Sequence, residues 1–248
     1  MKCKISGVLL LLAMVAISPV FSQEVPYQFS NPKYTASIQY FPATYKLGSV
    51  PGFPISVNTS NVVVRGEARV WPRVYPGFVY ISGSGTTNQY NTNFGVNLFD
   101  MELHLKIPLD TSKFISETSV NRSFPYEEQR LYFKAAYRSS QYHVDANSVR
   151  WFSIDSSGYG AGLGLTPNPG EKISAFGGIT YYPTIIVHNV TNPAPNTEYY
   201  RSSWDFEGGA RFRLSQQKDF HFDLSYKAWT YPGMDSFQGV VGGFTYRF

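Results

Sequence analysis

Along most of the chain, apolar and polar residues take turns at a spacing of two, in segments of about ten residues separated by clusters of Pro, Gly and Asn. Two is the period of an extended strand, whose successive side chains point to opposite faces. No stretch shows a convincing helical period. The pattern predicts ten strands: Lys33 to Phe41, Asn61 to Trp71, Gly77 to Ser82, Thr92 to Ile107, Leu131 to Ser140, Ser148 to Leu165, Lys172 to Tyr182, Arg201 to Leu214, Phe220 to Thr230 and Phe237 to Phe248. The third has the least regular alternation, with Pro72 and Pro76 just before it.

In each segment one face is apolar and the other polar. The second sets Val62, Val64, Ala68 and Val70 against Arg65, Glu67 and Arg69, and the eighth sets Trp204, Phe206, Ala210, Phe212 and Leu214 against Asp205, Glu207, Arg211 and Arg213. Two segments depart from this. Between Thr92 and Ile107 the apolar phase changes from Phe94, Val96 and Leu98 to Phe99, Met101, Leu103, Leu105 and Ile107. That predicts a bulge, or the point at which the strand leaves the membrane. In the sixth segment Gly158, Gly160, Gly162 and Gly164 share one face, a wall without side chains that gives curvature or room for large neighbours.

Alternation alone fits a two-sheet sandwich in water as well as a barrel in a membrane, because both bury one face of every strand. The last segment, FQGVVGGFTYRF, favours the barrel. It puts Val240, Gly242, Phe244, Tyr246 and Phe248 on one face, and aromatic rings at a strand end are unfavourable in water but favourable in a bilayer. Gly243, Tyr246 and Phe248 resemble the C-terminal assembly signal of bacterial outer-membrane β-barrels, a glycine followed by alternating aromatics ending on Phe. The resemblance implies an all-β, antiparallel up-and-down transmembrane β-barrel. Its implied partners are outer-membrane lipid and the assembly machinery that reads the last strand.

The other end of the sequence agrees. Lys2 and Lys4 precede an apolar run from Gly7 to Ile17 and a small-residue site at Val20-Phe21-Ser22, the pattern of a signal peptide cleaved before Gln23. The run of about eleven residues is too short to span a membrane as a helix. The expected organisation is a cleaved segment 1–22 and one barrel domain 23–248, exported to the bacterial outer membrane. The only cysteine, Cys3, falls in the part removed, which excludes disulfides and thiolate metal sites. Once Lys2 and Lys4 are gone, 19 basic residues stand against 17 acidic ones, too even a balance for nucleic-acid binding. Aromatics make up 17% of the chain, as expected of rings at two membrane interfaces.

A barrel with both ends in the periplasm has an even number of strands, so ten fits and eight or twelve are the alternatives. Segments 43–60, 83–91, 142–147, 184–199 and 231–236 then face outward. Those at 72–76, 166–170 and 215–218 are short periplasmic turns, and 108–128 is an unusually long one. The charged faces point inward, placing Arg65, Glu67, Arg69, Asp205, Glu207, Arg211, Arg213, His221, Asp223, Lys227 and Arg247 in one lumen network, with Asp100, Glu102, Lys106, Lys134, Arg138 and Arg150 beside them. Charges of both signs in a narrow barrel pair with each other, so a filled interior is expected rather than a pore.

Candidate chemistry is sparse. His221, Asp223 and Ser225 are the residue types of a hydrolase triad, yet neighbours on one strand face are about 6.8 Å apart and do not reach one another easily. A lumen charge network is the simpler reading of them. His143, Asp145 and His188 fall in outward loops with no recognised ligand spacing, and His104 reads as a lumen residue. No cofactor or metal is called for. Matching apolar faces predicts residue numbers summing to 434 across strands eight and nine, with Leu214 opposite Phe220, Arg211 opposite Asp223 and Glu207 opposite Lys227. Across strands nine and ten the predicted sum is 468, with Phe220 opposite Phe248 and His221 opposite Arg247. The functional expectation is a small monomeric outer-membrane barrel that is structural, adhesive or surface-binding, or passes small solutes, with binding mapped to 43–60 and 184–199. An enzyme with a site at the outer rim and a soluble ligand-binding sandwich are the rivals.

Overall fold

A computed structural model describes residues 34–47, 55–71, 73–87, 92–109, 130–146, 149–168, 171–191, 197–215, 219–231 and 234–248 of the 248. The expected signal peptide, the turn at 216–218 and nearly all of the 108–128 segment lie outside these residues. Ten strands follow in order: β1 Tyr34–Leu47, β2 Ile55–Ala68, β3 Val74–Thr87, β4 Thr92–Pro108, β5 Arg130–Ala146, β6 Val149–Leu165, β7 Ile173–Thr191, β8 Thr197–Ser215, β9 Phe220–Tyr231 and β10 Met234–Arg247. Each pairs antiparallel with the next, and β1 pairs with β10. The sheet therefore closes into an up-and-down barrel with no free edge, which excludes the sandwich.

Tyr34 and Phe248 meet at one end, where they exchange backbone hydrogen bonds of 2.9 and 3.0 Å and their rings lie 5.5 Å apart. We call this the lower end. Several strands run further toward the upper end than their alternation predicts. Most of 43–60 and 184–199, expected as loops, is ladder in β1, β2, β7 and β8, and β3 extends to Val74–Thr87 on both sides of its expected core. Val74 already lies in β3, so the lower turn before it is shorter than the expected 72–76. Pro42 and Pro76 sit inside β1 and β3 and do not end these strands. Pairing of β1 with β10 covers Thr35 to Tyr40 and resumes at Ala43, leaving a gap at Phe41 and Pro42, where proline has no N–H to give.

The phase change in β4 is not a bulge, for its pairing with β5 is continuous from Thr92 to Pro108. Facing alternates strictly along the strand. Phe94, Val96 and Leu98 point inward and are 1% exposed, while Met101, Leu103 and Leu105 point outward. What changes along the strand is the surroundings. In the lower half the outer face is apolar and the lumen charged; in the upper half Ser56, Asn58, Ser60, Ser84, Thr86 and Asn93 are exposed outside and the lumen is apolar. The bulge is thereby excluded, and the phase change marks the level at which both faces of the barrel exchange polarity.

The registers of the last strands show one expectation met and two corrected. Arg211 lies opposite Asp223 and Glu207 opposite Lys227, as expected. Leu214 is skipped, however, because the ladder slips between Arg213 and Ser215 and puts Ser215 opposite Phe220. In the β9–β10 pair, Phe220 faces Tyr246 and His221 faces Thr245, a sum of 466 instead of 468. A shift of two residues preserves every facing, so apolar matching could not detect it. The rings settle it: Phe244 stacks on Phe220 at 5.4 Å and meets Phe222 edge-on at 5.6 Å.

Candidate functional site in the barrel lumen

The lumen has three storeys. At the bottom, alternating inward positions of β2, β4, β5, β8 and β9 bring charges from different strands into one layer. Arg65 and Lys227 both donate to Glu207, at 2.8 and 2.9 Å, and Ser225 donates to it at 3.1 Å. Arg211 grips Asp223 through two hydrogen bonds of 2.7 and 2.8 Å, and Thr245 adds a third at 2.6 Å. His104 bridges Glu67 at 2.8 Å and Glu102 at 3.1 Å, while Lys106 pairs with Glu67 and Lys134 with Glu102. Around these groups lies a cavity of about 260 Å³ that extends to Arg130, Thr166 and Pro167 near the lower end.

The glycine face of β6 shapes the opposite wall. A Cβ at Gly164 would stand 2.5 Å from the Tyr132 hydroxyl, and one at Gly160 would stand 2.6 Å from the Tyr182 ring. The glycines make room for these two large side chains. Tyr132 thereby reaches across β6 to Gly178 on β7.

The middle storey is one guanidinium. Arg138, 1% exposed, is forked between two carboxylates: its Nε and one terminal nitrogen donate to Asp100 at 2.8 and 2.7 Å, and both terminal nitrogens donate to Asp205. Its flat face lies 4.4 Å from the Tyr182 ring centroid. Bidentate geometry on both sides offsets the cost of withdrawing three charges from water.

Above it the lumen is filled by rings. Phe237 stands 3.7 Å from Tyr45, 3.9 Å from Trp229 and 4.9 Å from Phe41, centroid to centroid, and Phe94 stands 4.7 Å from Tyr45. Tyr142, Ile154, Ile185, Val187, Val57 and Ile81 complete a core that crosses the barrel.

The remaining expected residues sit as follows. Arg69 lies just past the end of β2, and Arg213 lies opposite His221. His221 is buried and hydrogen-bonds Asp219 at 2.8 Å, while Arg247 lies 3.6 Å from the same carboxylate. Asp219 occupies the turn before β9 with φ of 42°, a conformation Asp tolerates better than most residues. Burial would push its carboxyl up, but the His221 hydrogen bond and the positive charge of Arg247 hold it below the ordinary carboxylate value. Asp223 and Ser225 are engaged with Arg211 and Glu207, so the structure does not bring the three triad residue types together. His143, Asp145 and His188 belong to strands β5 and β7, not loops, because those strands continue upward with inverted polarity. His143 lies over Gly95, 3.7 Å from Asp145. Among the described residues no group of three or more His, Cys, Asp or Glu could hold a metal. Gly243 faces inward, where a Cβ would stand 2.3 Å from the Ile38 carbonyl; Tyr246 and Phe248 face outward and stack at 5.6 Å.

The charged lower storey follows from alternation. The Arg138 fork joins β4 and β5 to β8 across the lumen, and only closure of the barrel brings those strands face to face. The aromatic storey had a sequence signal in the inverted phase of Phe94, Val96 and Leu98.

No protein-family model matches the chain, and no curated protein matches it. Solved structures do. The outer membrane protease OmpT from Escherichia coli superposes with a TM-score of 0.53 at 10% identity, covering 91% of this chain and 99% of that one. The Neisserial surface protein NspA gives 0.40 at 10% identity over 88% and 98% of the two chains. The translocator domain of the autotransporter NalP from Neisseria meningitidis gives 0.43 at 10% identity over 98% and 96%. At such identity the likeness concerns architecture alone, and only the first superposition is close enough to support it. The chain has the fold of the bacterial outer-membrane β-barrels.

Proposed function

We propose that the protein is a monomeric, non-conducting outer-membrane barrel that holds its upper half above the outer leaflet as a rigid surface-binding platform. Its lower end faces the periplasm, and lipid surrounds its lower half. The observation that carries this reading is the exchange of polarity between the two halves. Hydroxyl and amide side chains on the outside of the upper strands are at home in water, and the ring-filled core inside them is that of a water-soluble barrel. The same core opposes passage of solutes, which leaves surface binding or scaffolding as the role.

Two measurements test it. Single cysteines at Ser84 or Asn93 should react on intact cells with a maleimide that does not cross membranes, whereas one at Leu103 should not. Equal protection of all three would overturn the placement. In planar bilayers the protein should give no steady openings, and openings of porin size would overturn the sealed lumen.

A further inference from the structure

We propose that the lower cavity is a binding site for a small organic anion with a flat apolar part, entered from the lower end. The cavity is built, with about 260 Å³ of space between side chains already fixed by their partners. Among the described residues its lining has an imbalance: seven lysine and arginine side chains face it against four carboxylates. Asp219, which faces Arg247 from the neighbouring turn, makes the count seven against five. Each of the four carboxylates lining the cavity already holds one or two cations, so they offer an incoming cation little. The excess positive charge favours an anion, and the low-dielectric walls strengthen that preference.

The walls add shape. The charged side chains come from β2, β4, β5 and β8 to β10, while Tyr132 of β5 together with Phe176 and the bare backbone of Gly177 and Gly178 on β7 form one uncharged stretch of the wall. An aromatic face beside glycine backbone accepts a planar group, and the lysines and arginines around it supply N–H donors for an acidic head. Arg65 supports this, because its Nε is buried without a hydrogen-bond partner among the described residues while its terminal nitrogen holds Glu207. The site ends below the Arg138 fork, so a ligand binds in a closed-ended pocket and is not transported.

The test uses the full chain folded in detergent, with phenyl phosphate and phenyltrimethylammonium as probes in calorimetric titrations. Phenyl phosphate is expected to bind saturably and to weaken as salt rises, and phenyltrimethylammonium is expected not to bind. Arg130→Gln should weaken phenyl phosphate about tenfold, the loss of one charge-assisted contact. Thr35→Trp, which fills the cavity without removing a charge, should abolish binding while heat-dependent gel mobility shows an intact barrel. Equal binding of both probes, no saturable binding up to about 10 mM, or unchanged binding in a folded Thr35→Trp barrel would each overturn the proposal. None of these results depends on where the upper half sits relative to the membrane.

Discussion

The lower and upper halves of this barrel are made from the same strands and solve opposite problems. Below, the outer face is apolar: Leu103, Leu163 and Phe244 face outward half-exposed, and the interior is held by ion pairs. Above, the outer face is polar and the interior is held by rings that are nearly unexposed. The difference teaches that alternation by itself has no inside and outside. A strand keeps a period of two while the medium on each face changes, and at Leu98 and Phe99 the apolar residue moves from one face to the other.

The largest expected effect lies where the halves meet. Arg138→Met leaves Asp100 and Asp205 buried without their cation and should cost about 3–5 kcal/mol of stability in urea titrations of the detergent-folded barrel. Changing all three to Met, Leu and Leu should recover most of that loss, and failure to recover would mean that the fork does more than neutralise its own charges. In the upper half, Phe237→Ala should cost about 3 kcal/mol, because it opens a cavity among Tyr45, Trp229 and Phe41. The outer faces sharpen the contrast. Leu103→Arg should cost about 2–4 kcal/mol in lipid vesicles, whereas Asn93→Arg, on the same strand above the apolar band, should fall within about 0.5 kcal/mol of wild type. Equal penalties at the two sites would erase the boundary between the halves.

The smallest effect belongs to Asp219. Its carboxyl is held below its ordinary value, so the stability it contributes is fully present above an unfolded value of about 3.9 and is lost as pH falls through the folded value. Asp219→Asn keeps a side chain that tolerates the left-handed backbone. The difference between this variant and wild type should therefore be present at neutral pH and vanish in strong acid. A difference that persists there would point to backbone geometry instead of charge.

The fold was largely legible because a barrel repeats one rule. All ten strands and the facings of Arg65, Glu207, Arg211 and Asp223 follow from alternation. What escaped obeys other constraints. Pro42 and Pro76 read as loop punctuation because a sequence does not show which backbone N–H groups a barrel can do without. The sum of 466 across β9 and β10 escaped because a shift of two keeps every facing. The Arg138 fork needed the closure of ten strands to bring β5 opposite β8. Chemistry was the least legible, since the His221, Asp223 and Ser225 spacing is satisfied by three separate partners.

The gap at Phe41 and Pro42 gives the closing seam a mechanical character. Between β1 and β10, six residue pairs lie below it and four above. A pull that peels the upper rim open unzips four pairs and then meets a stretch with no rungs to break. There the strain concentrates on the six lower pairs, anchored at their far end by the Tyr34 and Phe248 rings. The seam is thus two zippers in series, and the upper one is free to part while the lower one holds the cylinder shut.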